Sequence, residues 1–308
     1  MNLIWATSVS AGSLHAARAI STGRTLIDPS LATAIDAPAR AVAAAVADSG
    51  CPAEVLWQHL LPLAAGQLTD HESFGTQAAS QSPPDFEMAG RQLAARALSQ
   101  IEPCLSPAAV DRLGLALAQL EAAYVAAQPL VAEQLPLRRE PLRGQWEARG
   151  PGLLFGVGRL TSADWLVPSA MVILLPPILG GAGQAHPTYN AVTFEAVLAN
   201  PIARLPEVLR LGWLLAQLHP SLAADATTSS GWRRAAPAAL LAVVLAAAED
   251  IELAAADRAH FDLAADAWLG DKAAADTIWR WWQNHAVLWP GWAAGLEALD
   301  RLLSVPRA

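Results

Sequence analysis

Lysine is all but missing from this chain: Lys272 stands alone, and arginine carries the rest of the positive charge. Cysteine is equally scarce, with only Cys51 and Cys104. Two cysteines without Cys-x-x-Cys spacing exclude a zinc ribbon, a dithiol redox motif and a disulfide-dense scaffold. Two thiols in 308 residues fit a reducing compartment, so a cytoplasmic protein with free thiols is expected. Charge of either sign is thin, at 16% of residues, where an ordinary soluble domain carries ~25%. The excess is acidic, 28 side chains against 20, for a net charge of −8. The arginine pairs Arg138-Arg139 and Arg233-Arg234 are isolated. Nucleic-acid binding needs a basic face that displaces counterions, so no nucleic-acid partner is expected.

Long apolar runs are also lacking. The stretch 167–182 is broken by Pro176, Pro177 and glycines, and 235–248 stops at Glu249 and Asp250. A spanning helix needs ~20 apolar residues, so no membrane span is expected. The first residues, Met1 to Trp5, carry no basic side chain of the kind that opens a signal peptide. Nucleophile and phosphate motifs are missing too. There is no Gly-x-Ser-x-Gly elbow and no Walker loop. Gly150-Pro151-Gly152 and the Gly156, Gly158 pair make no Gly-x-Gly-x-x-Gly.

What is present is apolar mass. Hydrophobic residues are 54% of the chain, which excludes disorder for most of its length and allows a large core. Helical spacing and caps predict helices over 14–23, 31–49, 52–68, 86–101 and 107–128, with Ser106 as a cap. The polar stretch 69–85 reads as a loop. Charge concentrates over 135–152, and Gly150-Pro151-Gly152 is expected to break the backbone before a short helix over 153–160. The chain therefore divides into an all-helical region, 1–134, and an α+β region, 135–308.

In the second region, 170–175 reads as a buried strand. Residues 191–198 alternate, with Val192, Phe194 and Ala196 facing the core and Thr193 and Glu195 on a second, open face. The stretch 205–218 is apolar all round and reads as a buried helix. Helices over 237–256, 259–269, 274–286 and 292–303 complete a C-terminal bundle. The fold class is mainly α with a small central sheet.

Candidate site residues gather between 180 and 218. Gly180, Gly181 and Gly183 form a glycine loop that leads into His186, Tyr189 and Asn190. A loop histidine near Glu195 has the chemistry of a general base oriented by a carboxylate. Farther on, Pro206-Glu207-Val208-Leu209-Arg210 opens the buried helix. Glu207 and Arg210 lie at i,i+3 and can form an ion pair. His219, just before Pro220, is expected to cap the end of that helix, where a cation suits the dipole.

Glycine loop, strand and helix over 180–218 resemble the central segment of the zincin metallopeptidases. In that family the helix carries His-Glu-x-x-His. Glu207 matches the glutamate, while Pro206 and Arg210 occupy the two histidine positions. The resemblance also implies a carboxylate ligand on the following helix, where Glu249 is the nearest match. Proline has no donor atom for a metal, and arginine keeps its proton and charge. No metal or cofactor is therefore expected. The favoured expectation is a non-catalytic interaction or scaffolding protein on a zincin-like core that has lost its metal site, with a protein partner. A metal-dependent hydrolase using His186, Glu207 and Glu249 is the alternative. A helical binding module for a small apolar ligand is a third class.

Five tryptophans, Trp279, Trp281, Trp282, Trp289 and Trp292, crowd the C-terminal helices. Core packing is the expectation, and an exposed interface the alternative. The acidic series Glu249, Asp250, Glu252, Asp257, Asp262 and Asp266 reads as a solvated face.

Overall fold

The computed structural model describes residues 1–66, 85–101, 106–162, 164–223, 230–288 and 291–304. Its chain falls into two units, neither contiguous in sequence. One holds Ala6–Arg139 and Ile173–Ala182; the other holds Met1–Trp5, Glu140–Val172 and Gly183–Ala308. One division falls between Arg139 and Glu140, and the chain returns to the first unit for ten residues, 173 to 182.

The first unit is helical: α1 (Val9–Ser21), α2 (Pro29–Asp48), α3 (Ala53–Gly66), α4 (Phe86–Ser99), α5 (Pro107–Ala127) and α6 (Val131–Leu137). Caps set their starts. Ser8 Oγ accepts from Ala11 N at 3.0 Å, Asp28 Oδ1 from Ser30 N at 2.9 Å, and Ser106 Oγ from Ala109 N at 3.2 Å. Each satisfies an amide that the helix itself leaves without a partner. Helices α4 and α5 cross so closely that a Cβ on Gly90 would sit 2.4 Å from the Gly114 carbonyl oxygen. Residues 69–84 of the expected loop lie outside the described residues, and Asp85 caps α4.

The second unit contains α7 (Arg139–Leu160, whose first residue belongs to the first unit), α8 (Glu207–Ala216), α9 (Ser230–Asp250), α10 (Arg258–Ala264), α11 (Ala275–Leu288) and α12 (Trp292–Ser304). A single sheet has strand order β1-β2-β4-β3, from β1 (Asn2–Thr7), β2 (Ser169–Leu175), β3 (Gly183–His186) and β4 (Ala191–Glu195). The division between the units falls within β1 and within β2. The protein is mainly helical with a small mixed sheet, as the sequence predicts.

Several sequence expectations need correction. The first region is not all helical, because Asn2–Thr7 is a strand. It runs parallel to β2: Asn2 N donates to Pro168 O and Ser8 N to Leu174 O, an equal advance on both strands. Its hydrogen-bond partners lie far along the chain, so no local signal announces it. Gly150-Pro151-Gly152 does not break the backbone, and α7 runs through it. The Trp146 indole lies over Gly150, where a Cβ would come within 2.3 Å of the ring.

Cys51 is disulfide-bonded, against the expectation of free thiols. The other cysteine of the chain, Cys104, lies outside the described residues. Sequence spacing carries no information on whether two distant cysteines meet within bonding range. By length and composition, α2 and α9 could each cross a membrane. The apolar run 235–248 looked too short only because α9 extends five residues beyond its start and two beyond its end. In α9, 67% of the apolar window is buried by the rest of the chain, against 28% in α2, which marks α9 as a core helix.

Candidate functional site

The candidate site is built on β3, β4 and α8, all in the second unit. β3 and β4 pair antiparallel, with Gly183 opposite Phe194, Gln184 opposite Thr193, Ala185 opposite Val192 and His186 opposite Ala191. They are joined by a 3-10 turn, Pro187–Tyr189, closed by Asn190 in the left-handed region at φ 49°. Asn190 also donates from Nδ2 to the Ser169 carbonyl. Tyr189 and Asn190 are therefore turn residues, and His186 belongs to a strand, not to a loop. Gly180 and Gly181 have positive φ, which suits a residue without Cβ.

Every residue of β4 is buried, including Thr193 and Glu195 at 0% exposure. The expected open face of this strand is thus covered. Paired residues in an antiparallel ladder share a face, and neighbours along a strand alternate. Val192 and Phe194 accordingly lie on one face with Gly183 and Ala185. Thr193 and Glu195 lie on the other with Gln184 and His186.

Helix α8 packs against the Phe194 face. All ten of its residues are buried, which a helix apolar almost all round requires. Pro206 precedes it and offers no side-chain cap; instead Asn200 Oδ1 accepts from Glu207 N at 3.1 Å. Arg210 is 3% exposed and Glu207 6%. Arg210 Nε donates to Glu207 Oε2 at 3.1 Å and to Oε1 at 3.3 Å, and Nη2 donates to Oε2 as well. Nη2 also donates to the Glu195 carbonyl at 3.3 Å, tying the helix to the end of β4. The guanidinium carbon lies 3.9 Å from the centroid of the Phe194 ring, a cation–π contact.

Gly183 makes room for this arrangement. A Cβ there would lie 3.1 Å from Arg210 Nη1, 2.7 Å from Leu214 Cδ1 and 2.6 Å from the Thr193 carbonyl oxygen. The glycine loop thus contributes space for a buried cation, and its last glycine is the first residue of β3.

On the far face, His186 Nε2 lies 3.2 Å from Thr193 Oγ1, and both residues are buried. Thr193 Oγ1 donates to the Gln184 carbonyl at 3.4 Å, which leaves its lone pair to accept from His186 Nε2. His186 and Glu207 are therefore placed by opposite faces of β4. Glu249 is exposed at the end of α9, where Oε1 accepts from Ala256 N at 3.2 Å. The structure does not bring His186, Glu207 and Glu249 together. Among the described residues, no three His, Cys, Asp or Glu side chains form a group that could hold a metal ion.

His219 also departs from expectation. It caps the following 3-10 turn, where Nδ1 accepts from Ser221 N at 3.3 Å, and does not close α8 as a cation. Its ring stacks on Trp165 at 4.3 Å with 3° between planes. Burial lowers its pKa, with Asp164 opposing, and so favours the neutral ring. Trp281, Trp282 and Trp292 are buried, and Trp281 Nε1 donates to the Gly295 carbonyl at 2.9 Å. Trp279 packs edge-on against Phe261 at 5.4 Å. Trp281, Trp282 and Trp292 belong to the core and Trp279 is half-buried; Trp289 lies outside the described residues. The acidic series is exposed except Asp262, which is half-buried.

Sequence reasoning missed the Asn200 cap, the Thr193–His186 contact and the Trp165–His219 stack. Asn200 is seven residues from the amide it caps, beyond the reach of a local capping pattern. Comparison of the chain with protein-family models, curated proteins and solved structures finds no match.

Proposed function

We propose that β3, β4 and α8 form a non-catalytic core of zincin-like descent, and that the chain acts as an interaction or scaffolding protein. The observation that carries this reading is the Arg210 guanidinium, buried between Glu207 and the Glu195 carbonyl. A cation fixed at that point neutralises Glu207 without a metal. It also engages the carboxylate that a hydrolase would need as a base. A hydrogen-bonded carboxylate tied to a buried guanidinium favours structure over proton transfer.

Elemental analysis of the purified chain after mild dialysis tests this. The expected result is no stoichiometric zinc. About one zinc per chain, retained through dialysis and removed only by a strong chelator, overturns the reading and revives a metal-dependent hydrolase.

A further inference from the structure

The open edge of the sheet carries an inference independent of the α8 region. β1 is a terminal strand, bonded to β2 on one side only. We infer that this edge is a self-association surface, on which β1 of a second copy of the chain pairs antiparallel.

Strand register decides which groups are open. Asn2 N and Ser8 N both donate to β2 carbonyls or to the residue just before that strand. In a strand, the N–H and C=O of one residue point the same way, and the direction alternates from residue to residue. The even-numbered residues of β1 therefore bond to β2, and Leu3, Trp5 and Thr7 turn their amides and carbonyls outward. Among the described residues, none of these three bonds to a group beyond the sheet.

Natural sheet edges are guarded by charge, proline, a bulge or shortness. β3, at the other edge, is only four residues long. β1 has six residues, Asn2–Thr7, and no charge, proline or glycine among them. Ile4 is 54% exposed and Met1, just before the strand, 39%. Such an edge is a template for another strand, because an extended backbone satisfies its alternating amides and carbonyls.

A second copy fits this edge by its own sequence. A two-fold axis through Trp5 sets Trp5 opposite Trp5, and Leu3 of one copy opposite Thr7 of the other. Each pair can exchange two main-chain hydrogen bonds. No like charges oppose each other, since the first charged side chain of the sequence is Arg18. Each chain offers one such edge, so the pairing closes at a dimer. The net charge of −8 on each chain opposes approach at long range, and salt screens it.

Sedimentation equilibrium of the full chain, from about 1 to 100 µM in about 0.3 M salt, tests the inference. The mass should rise from one chain to two and stop there. Leu3→Pro removes an outward amide and no bond to β2, and should weaken association at least about tenfold. Ile4→Lys, at an exposed side chain, adds the charge that guards natural edges and should do the same. Phe155→Asp, an apolar side chain 70% exposed on α7, should leave the dimer unchanged. A chain still monomeric at the highest concentration overturns the proposal, as does a series of species larger than two. So does a dimer that keeps its parental affinity in both Leu3→Pro and Ile4→Lys. Zinc content is measured separately, so neither result depends on the reading of the α8 region.

Discussion

Arg210 and Glu207 share one turn of α8 and are both buried, and the arginine reaches both carboxylate oxygens of its partner. Removing one member of such a pair leaves the other charge in a medium that solvates it poorly. Arg210→Ala should therefore destabilise the chain by about 3–5 kcal/mol in urea unfolding. The joint replacement Glu207→Leu with Arg210→Leu should cost much less, because no buried charge remains. The double-mutant cycle reads the coupling directly. Simple additivity of the two single changes would mean that the side chains do not interact.

Gly183 and Gly144 make opposite predictions for the same substitution. At Gly183, a methyl would press on the Thr193 carbonyl, Leu214 and the Arg210 guanidinium. Gly183→Ala should cost about 1–3 kcal/mol, the range for overpacking. At Gly144, inside α7, a Cβ meets nothing within 4 Å. Gly144→Ala should stabilise by about 0.4–1 kcal/mol through the unfolded chain. Thermal melts of the two variants should move in opposite directions.

Acid should weaken the fold first through histidine. Burial lowers the pKa of both His219 and His285 below the ordinary 6.5. The unfolded chain then binds more protons than the folded chain as pH falls below that value. Their contribution is present above pH 6.5 and is lost as pH falls toward the folded values. Glu121 acts with the opposite sign. Burial raises its pKa, partly offset by the hydrogen bond from Ser10, so its contribution is full below 4.5 and fades as pH rises through the folded value. Melting temperature measured from pH 8 down to 5.5 should fall, and His219→Asn should flatten that slope. A melting temperature constant across this interval would contradict the burial of both rings.

The Cys51 disulfide predicts a thiol count. The chain denatured without reductant should titrate no thiol, and after reduction it should titrate its two cysteines. Two thiols in the unreduced chain would restore the free-thiol expectation and the reducing compartment that goes with it.

The sequence by itself determined most of the helical segments and the burial of α8, but not the strand Asn2–Thr7 or the passage of α7 through Gly150-Pro151-Gly152. Ser106 sits three residues before the amide it caps, and the apolar run of α8 leaves no face for water. The alternation of β4 likewise placed Phe194 and Thr193 on different faces, because side chains along a strand obey a period of two. The Glu207–Arg210 pair was legible for the same reason, since i,i+3 spacing brings helix neighbours together.

Only the tertiary structure decided what closes each face. Whether the second face of β4 meets water depends on elements remote in sequence, and it is buried. Whether His186 and Glu207 meet depends on strand register, and β4 holds them on opposite sides. β1 joins its sheet through carbonyls far along the chain, and Cys51 is bonded without any local spacing to signal it. Local periodicity and capping act over one or two turns, where the chain's own geometry sets the distances. Contacts between distant segments are chosen by packing and burial of the whole chain, which a linear pattern does not encode.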